Sequence, residues 1–136
     1  SNVDGTDDSV LLLPFDPDAS AARIHDAIKR ASGESIGIVI SDSHGRPFRM
    51  GNVGTAIGVA GMPALLDLRG TPDMFGRILK ISITGYADMV ASAAALLTGE
   101  GAEGLPVVHV RGLNYPSIEG HAADLNRPPE MDLYRK

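Results

Sequence analysis

The sequence predicts an α+β domain, close to α/β in character, with a mixed sheet of about five strands and two main helices. Short apolar runs rich in Val, Ile and Leu recur along its 136 residues, bounded by Gly, Pro or polar clusters, as buried strands are. Between them lie two stretches whose apolar residues recur at helical spacing. Hydrophobic residues make up 43% of the chain, so a core can form although aromatic residues make up only 4%.

The first part of the chain is predicted to form a strand, a helix and a second strand. The apolar run Ser9–Leu13 is interpreted as a buried strand. A helix follows, with Asp18 or Ser20 as its amino-terminal cap and Gly33 at its end. Its apolar face is predicted to consist of Ile24, Ala27, Ile28 and Ala31. Ile36–Ile40 is a second buried strand, so the three elements resemble a βαβ unit.

The rest of the chain is predicted to add three strands and one helix. The strands are Thr55–Ala60, Ile78–Thr84 and Pro106–Val110. Within the first of them, Gly58 permits close approach of another backbone segment. The helix is Asp88–Leu97, with an apolar stripe of Val90, Ala93, Ala94 and Leu97. Residues 1–113 are therefore assigned to the core, and residues 114–136, which lack periodicity, to an extended tail docking on the body or on a partner.

Composition argues against several classes of protein. The net charge is -5, and the basic residues occur singly, so no nucleic-acid partner is expected. The absence of Cys excludes a disulfide scaffold and a thiolate metal site. No apolar run approaches ~20 residues and no charged-then-apolar leader occurs, so we expect no membrane span, no signal peptide and a cytoplasmic location.

The most polar stretch bordered by predicted strands is Ser41–Asn52, and it carries the first candidate site. Asp42 could ligate Mg²⁺ or Mn²⁺ with a hard oxygen donor, and the Ser43 hydroxyl could add a second donor. Arg46 and Arg49 could hold a phosphate or a carboxylate. Residue types alone favour the alternative, an ordinary Asp–Ser turn with an ion pair between Asp42 and Arg46.

The Gly-rich segment Thr98–Leu105, TGEGAEGL, is the second candidate. Its glycines would let backbone N–H groups approach a phosphate or a base closely. It is no Walker loop, and Glu100 and Glu103 would repel bare phosphates unless a metal ion lies between them. Taken alone, the segment favours the alternative, a helix-to-strand connection with a Gly cap.

A third polar stretch contains Asp67, Arg69, Asp73 and Arg77. It predicts either an ordered polar loop or a surface network of salt bridges, which would add little stability. Of the four His residues only His44 lies within a candidate site, and none has metal-ligand spacing. No GxSxG elbow is present, so no Ser/His/Asp triad is predicted.

These segments are more informative together than apart. They occur in the order LLLPFDPDASA, IVISDSHGRPFRMG, AIGVAGMPALLDLRG, DMFG, ADMVASAAALLTGE, GLPVVHVRGL and RPPEMDLYRK. In this order they resemble the coenzyme F-420:L-glutamate ligase family, the gamma-glutamyl ligases of that coenzyme, over nearly the whole chain. The resemblance implies a GTP- and metal-dependent ligase that adds L-glutamate to the lactyl-phosphate-linked deazaflavin precursor by amide bonds, through an acyl phosphate.

The resemblance also implies a larger architecture and a set of site residues. The family forms a two-domain, intertwined homodimer, with GTP and two Mg²⁺ or Mn²⁺ ions at the interface and room for a monovalent cation such as K⁺. Asp42 is similar to the ligand of the first metal, and Ser43 and Glu100 to ligands of the second. Asn2 is similar to an Asn that contacts GTP. The loop that contacts the nucleotide corresponds to Thr98, Gly99, Glu100, Gly101, Ala102, Glu103, Gly104 and Leu105.

The chain also departs from the family pattern. It resembles only the carboxy-terminal half, and a further metal-ligating Asp of the family would precede Ser1. Glu100 stands where Gln or Lys is common in the family. We therefore expect the 136 residues alone to be inactive as a ligase. The alternative is a non-catalytic nucleotide-binding or dimerisation domain, which would be favoured if the natural protein begins at Ser1. A longer chain with an Asp two residues before Ser1 would favour the ligase.

Overall fold

A computed structural model describes residues 12–132 and Tyr134. In chain order the elements are α1 (Pro17–Ser32), β1 (Ile38–Arg46), β2 (Arg49–Ala60), β3 (Leu65–Asp67), β4 (Ile83–Gly85) and α2 (Tyr86–Thr98). Two 3₁₀ turns follow, at Ala122–Leu125 and Pro129–Met131. The predicted mixture of helices and strands is confirmed, with α1 and α2 as the main helices.

The strands form two separate antiparallel pairs, β1 with β2 and β3 with β4. For the part of the chain described, the predicted mixed sheet of about five strands is therefore wrong. The stretch predicted as a polar loop instead continues β1 to Arg46, turns at Pro47–Phe48 and returns as β2. Phe48 has a φ of 61° in this turn. The strands on either side of the turn pair with each other, so this pairing needs no segment that is distant in sequence.

Two other predicted strands are absent or shortened. Ile78–Thr84 is a strand only from Ile83, and Ile78 makes an isolated bridge to Pro72. Pro106–Val110 pairs with no strand among residues 12–132. An apolar pattern shows that a segment suits a sheet, but the ladder requires a neighbour with free backbone groups. The predicted strand Ser9–Leu13 lies outside the described residues apart from its last two.

Helix α1 begins two to four residues earlier than predicted. Its amino-terminal cap is Asp16, whose Oδ1 accepts a hydrogen bond from the Ala19 N–H at 2.8 Å, so the prediction of Asp18 or Ser20 is wrong. Pro17 occupies the first helical position, where its missing N–H costs no intrahelical bond. Gly33 ends the helix as predicted, with a φ of 77° and an N–H donated to the Lys29 carbonyl.

Both helices bury small residues against β2, and from the predicted stripe of α2 Val90 also packs against the core. α1 buries Ala21, and α2 buries Ala87 and Ala91. A Cβ added to Gly58 would lie 2.4 Å from the Pro17 carbonyl oxygen, which confirms the predicted close approach. A Cβ on Gly54 would likewise lie 2.6 Å from the Ala91 carbonyl oxygen. Backbone proximity, and not a row of large side chains, therefore joins helices to hairpin.

The core is small and built mainly from short side chains. Its buried members are Ala56, Val59, Met62, Ala64, Ala87 and Ala91. Tyr115 packs against this cluster, with its ring centroid 5.8 Å from that of Tyr86. Burial is the main cause that raises the pKa of the Tyr86 hydroxyl, and the neighbouring Tyr115 raises it further. Residues 114–125 thus lie against the body of the domain.

No helix in the described part of the chain combines the length and apolar character needed to cross a lipid bilayer.

Candidate functional site

The hairpin determines where the two candidate metal ligands point. Asp42 and Ser43 lie within β1, not beyond its end as the sequence suggested, and they pair with Thr55 and Gly54 of β2. Successive side chains of a strand point to opposite faces. Asp42 and His44 therefore share one face of the hairpin, while Ser43 lies on the other.

The Asp42 carboxylate is accessible and has no close cationic partner. Its Oδ1 accepts a hydrogen bond from the Ser43 N–H at 2.8 Å, and its Oδ2 lies 3.8 Å from Nε2 of His44. The side chain is 41% exposed. The ion pair with Arg46, which residue types alone favoured, is not formed. The carboxylate oxygens thus keep lone pairs for a further ligand.

Ser43 lies on the face of the hairpin that helix α2 crosses. Its partner Gly54 packs against Ala91 of α2, and the Ser92 hydroxyl donates to the Gly54 carbonyl oxygen at 2.7 Å. Because paired residues share a face, the Ser43 side chain points toward the α2 side. The same helix leads into the Gly-rich loop, so Ser43 and the loop lie on one side of the hairpin and Asp42 on the other.

The Gly-rich loop closes around one of its own carboxylates. Gly99 ends α2 with an N–H donated to the Ala95 carbonyl oxygen, as the Gly-cap interpretation predicted, although no strand follows. Glu103 Oε2 accepts from the Gly101 N–H at 2.8 Å. A Cβ on Gly99 would fall within 2.2 to 2.5 Å of the Glu103 carboxylate atoms. The Gly101 N–H, one of the backbone donors expected to bind a phosphate, thus binds the Glu103 carboxylate. Glu100 is exposed.

Arg46 and Arg49 stand opposite each other at the tip of the hairpin. Arg46 Nη2 donates to the Met50 carbonyl oxygen at 3.3 Å, while its Nε is buried without a hydrogen-bond partner. No salt bridge in the described part of the chain involves either arginine. Two cations directly opposite each other repel, and an anion between them would relieve that repulsion and satisfy Nε.

The described residues do not complete a metal site. They contain no group of three His, Asp or Glu side chains placed to hold one ion. Asp42, Ser43 and Glu100 supply oxygen donors of the kind that Mg²⁺ and Mn²⁺ prefer, but in too small a number for either ion. The type of donor atom suits these ions, but each ion would need further ligands from outside the described residues. Asn2, the predicted GTP contact, lies outside the described residues.

The third polar stretch is an ordered loop with a single ion pair. Arg69 Nε donates to Asp67 Oδ1 at 2.8 Å. Hydrogen bonds from the Arg69 side chain, and then from its backbone N–H, lower the pKa of Asp67 to about 2. Asp73 Oδ1 accepts from the backbone N–H groups of Phe75 and Arg77. The predicted network is wrong, because Arg77 stacks over the Phe75 ring and does not extend the ion pair.

Sequence reasoning placed His44 within the candidate stretch but did not identify it, or Thr55, as a neighbour of Asp42. His44 lies two residues further along the same face, and Thr55 lies opposite and donates its hydroxyl to the Asp42 carbonyl oxygen at 3.4 Å. The signal that could have found them is the turn pair Pro47–Phe48 flanked by segments of similar length. That pattern indicates a hairpin and hence a register.

The chain was also compared with known proteins. A family model described as F420-0:Gamma-glutamyl ligase matches residues 1–112. The coenzyme F420:L-glutamate ligase of Methanocaldococcus jannaschii is 48% identical over 126 residues, which are 93% of this chain and 51% of the relative. The ligase of the same name from Archaeoglobus fulgidus is 43% identical over 136 residues, 100% of this chain and 53% of the relative. The chain thus spans about half the length of the curated relatives it matches.

Proposed function

Because the chain belongs to the F420-0:gamma-glutamyl ligase family, we propose that it forms about half of a ligase that adds L-glutamate to the coenzyme F420 precursor. The observation that carries this proposal is the extent of the match. It includes the β1–β2 hairpin, α2 and the Gly-rich loop, that is, every candidate site residue in the described part of the chain.

The proposed reaction has two steps. A carboxylate oxygen of the precursor attacks the γ-phosphorus of GTP, forming an acyl phosphate and releasing GDP. The amine of L-glutamate then attacks the acyl carbon, phosphate leaves, and the nitrogen loses a proton, so that an amide bond results. Both steps bring anions together, so the main tasks of the protein are to position the reactants and to neutralise charge.

The residues of this chain divide these tasks between the two faces of the hairpin. Asp42 would hold one divalent ion, and Ser43 with Glu100 would hold a second on the α2 side. When bound, such ions neutralise negative charge on transferring phosphoryl groups. The opposite orientations of Asp42 and Ser43 agree with two ions and not with one shared ion. The remaining ligands of each ion come from outside the described residues.

Arg46 and Arg49 are proposed to bind an anionic reactant. Their opposed positions and the unpartnered Nε of Arg46 support this role. A phosphate of a reactant or the carboxylates of L-glutamate could lie between them with bidentate hydrogen bonds.

GTP is proposed to bind at Thr98–Leu105. The positive φ values of Gly99 and Gly104, both 63°, let the loop turn tightly without side-chain clashes. Because the Glu103 carboxylate accepts from the Gly101 N–H, we infer that it must move aside before a phosphate can use that donor. A homodimer and a cytoplasmic location complete the proposal, as expected from the family.

The test is glutamate addition by the full-length protein, followed by mass spectrometry, with GTP and Mn²⁺ present and with either omitted. Asp42→Asn should lower both Mn²⁺ affinity and glutamate addition by roughly 10- to 100-fold or more, since replacing even residues around metal ligands has effects of that size. The matched control is Asp26→Asn, a change at an exposed position of α1. An Mn²⁺ affinity unchanged by Asp42→Asn would overturn the metal assignment.

A further inference from the structure

The outer edge of β2 is closed by carboxylates of both helices. Asp88 Oδ1 of α2 accepts from the Ala56 N–H at 2.8 Å. Asp18 Oδ1 of α1 accepts from the Val59 N–H at 2.7 Å. Both N–H groups can face outward although they are three residues apart, because the register shift leaves Ile57 as an extra residue in β2. No further strand can pair along this part of β2.

The direction of the backbone groups of β2 also determines which backbone groups of β1 face away from the hairpin. In an antiparallel pair, residues alternate between positions that bond to the partner strand and positions that face away from it. Ala56 pairs with Ser41 and Val59 with Val39, so Ser41 and Val39 also direct their N–H and C=O groups away from the hairpin. These groups lie on the edge of β1 opposite to the one that faces β2.

The two ends of this β1 edge already have partners. The Gly37 N–H donates to the Tyr115 hydroxyl at 3.1 Å, and the Ser43 N–H donates to the Asp42 carboxylate at 2.8 Å. Between them, Val39 and Ser41 have no hydrogen-bond partner for their outward groups within residues 12–132. The open part of the edge is therefore short and has defined limits.

This open edge lines an apolar cleft of about 580 Å³. Ile28 of α1 and Val90 of α2 contribute to its walls, and Val108 lies on the segment opposite β1. Backbone N–H and C=O groups that face an apolar space destabilise the protein unless another backbone segment pairs with them. The segment opposite contains Pro106–Val110, which has the apolar pattern of a strand but pairs with none in the described chain.

We propose that one additional β-strand occupies this cleft, pairing with Val39 and Ser41 on one side and with Pro106–Val110 on the other. It would be an apolar extended segment, because both walls of the cleft are mainly aliphatic. The proposal assigns the strand to the part of the full-length protein that lies outside these 136 residues, and so rests on the proposed function. Two observations favour this occupant.

The first is length, since the relatives contain about as many residues again outside the matched region. The second is the lining of the cleft. Both β1 and Pro106–Val110 line it, so one strand between them could pair with each. The sheet edge of a second copy would bring its own partner strand with it. The added strand would convert the β1–β2 hairpin into a sheet of four strands ending at Pro106–Val110.

The test is amide hydrogen exchange of the full-length protein without nucleotide or metal, so that its outcome does not depend on ligase activity. The Val39 and Ser41 amides should exchange at least about tenfold more slowly than that of Gly45, which faces outward on the same edge beyond the cleft. Equal rates for the three amides would overturn the proposal.

A variant pair examines the pairing itself. Ser41→Pro removes the outward N–H of residue 41, a group that does not bond to β2, so it should speed exchange at residues 107–110 about tenfold. Ser41→Ala keeps that N–H and should leave the same amides protected. Exchange at 107–110 that is equal in the two variants would contradict the added strand.

Two further results would contradict its assigned source. Protection of Val39 and Ser41 that disappears on dilution would identify a second copy of the chain as the occupant. Protection lost on deletion of residues 9–13, with the rest of the full-length protein present, would identify that segment instead.

Discussion

At the residue scale, the carboxylates of this domain serve mainly as acceptors for backbone N–H groups. Those of Asp16, Asp18, Asp73 and Asp88 accept from helix ends, from a strand edge and from a loop. Asp67 instead forms a close ion pair with Arg69. A charged acceptor strengthens a hydrogen bond to an N–H, so short segments can be held without a large core.

The Asp67–Arg69 pair leads to a prediction about pH. The pKa of Asp67 is lowered to about 2 from its usual 3.8, so its contribution to stability is present above about pH 3.8 and is lost as the pH falls through about 2. Arg69→Gln should raise the Asp67 pKa toward 3.8, as followed by NMR titration of the carboxyl carbon. The Asp67 pKa should stay partly lowered in this variant, because the hydrogen bond from the backbone N–H of residue 69 remains.

Arg77→Gln is the matched control, because Arg77 belongs to the same loop but contacts Phe75 and not Asp67. Its titration curve for Asp67 should coincide with that of the unchanged protein. A titration midpoint for Asp67 that is the same in Arg69→Gln would show that the guanidinium does not set the pKa.

At the element scale, β2 organises the domain. It pairs with β1, receives both helices at its glycines, and donates two outward N–H groups to the carboxylates of those helices. Asp18 extends this arrangement, because its carboxylate also accepts from the Ala122 N–H at 3.0 Å. A single side chain of α1 thus joins the hairpin to the segment that follows Tyr115.

Asp18→Ala should therefore destabilise the domain and loosen that segment. The Val59 and Ala122 N–H groups would both lose their acceptor, which costs about 1–3 kcal/mol for each group that stays buried and unpaired. Urea denaturation of the full-length protein measures the loss, and limited proteolysis should show faster cleavage within residues 114–125.

Asp26→Ala provides the comparison, since Asp26 is exposed on the same helix. It should change the free energy of unfolding by no more than about 0.5 kcal/mol. If Asp18→Ala were no more destabilising than Asp26→Ala, the two backbone bonds would not be important for stability.

At the scale of the whole molecule, large apolar side chains remain exposed on several elements. Phe48 is 94% exposed, Met50 98% and Ile81 88%. The predicted apolar face of α1 is also open, with Ile24 exposed. Exposed apolar patches are typical of sites that bind protein, membrane or a ligand. Exposed apolar side chains are also expected for a chain that spans about half the length of its relatives.

The small number of metal ligands among the described residues leads to a prediction about activity. The 136 residues alone should add no glutamate to the F420 precursor in the presence of GTP and Mn²⁺, because the described residues supply too few ligands for either ion. Mass spectrometry of the precursor after incubation measures this, with the full-length protein as the positive control. Glutamate addition by the 136-residue chain would contradict the proposed division of the site.

The helices show how far local sequence could lead. Gly33 and Gly99 marked the helix ends correctly, because a helix terminus depends on a few adjacent residues. The buried faces were predicted only in part. Val90 packs against the core as predicted, but Ala87 and Ala91 are the buried residues of α2 and Leu97 is exposed. Which face is buried depends on the partner, and helical spacing alone does not identify that partner.

For the candidate site, the order of its motifs by itself determined the family, and it identified Asp42, Ser43 and the Gly-rich loop as candidates. Only the tertiary structure decided that Asp42 and Ser43 lie within a strand and point to opposite faces. It alone showed that Pro106–Val110, despite its strand pattern, has no strand partner among the described residues. The physical reason is that composition and spacing act along the chain, whereas pairing and register depend on backbone groups that are distant in sequence.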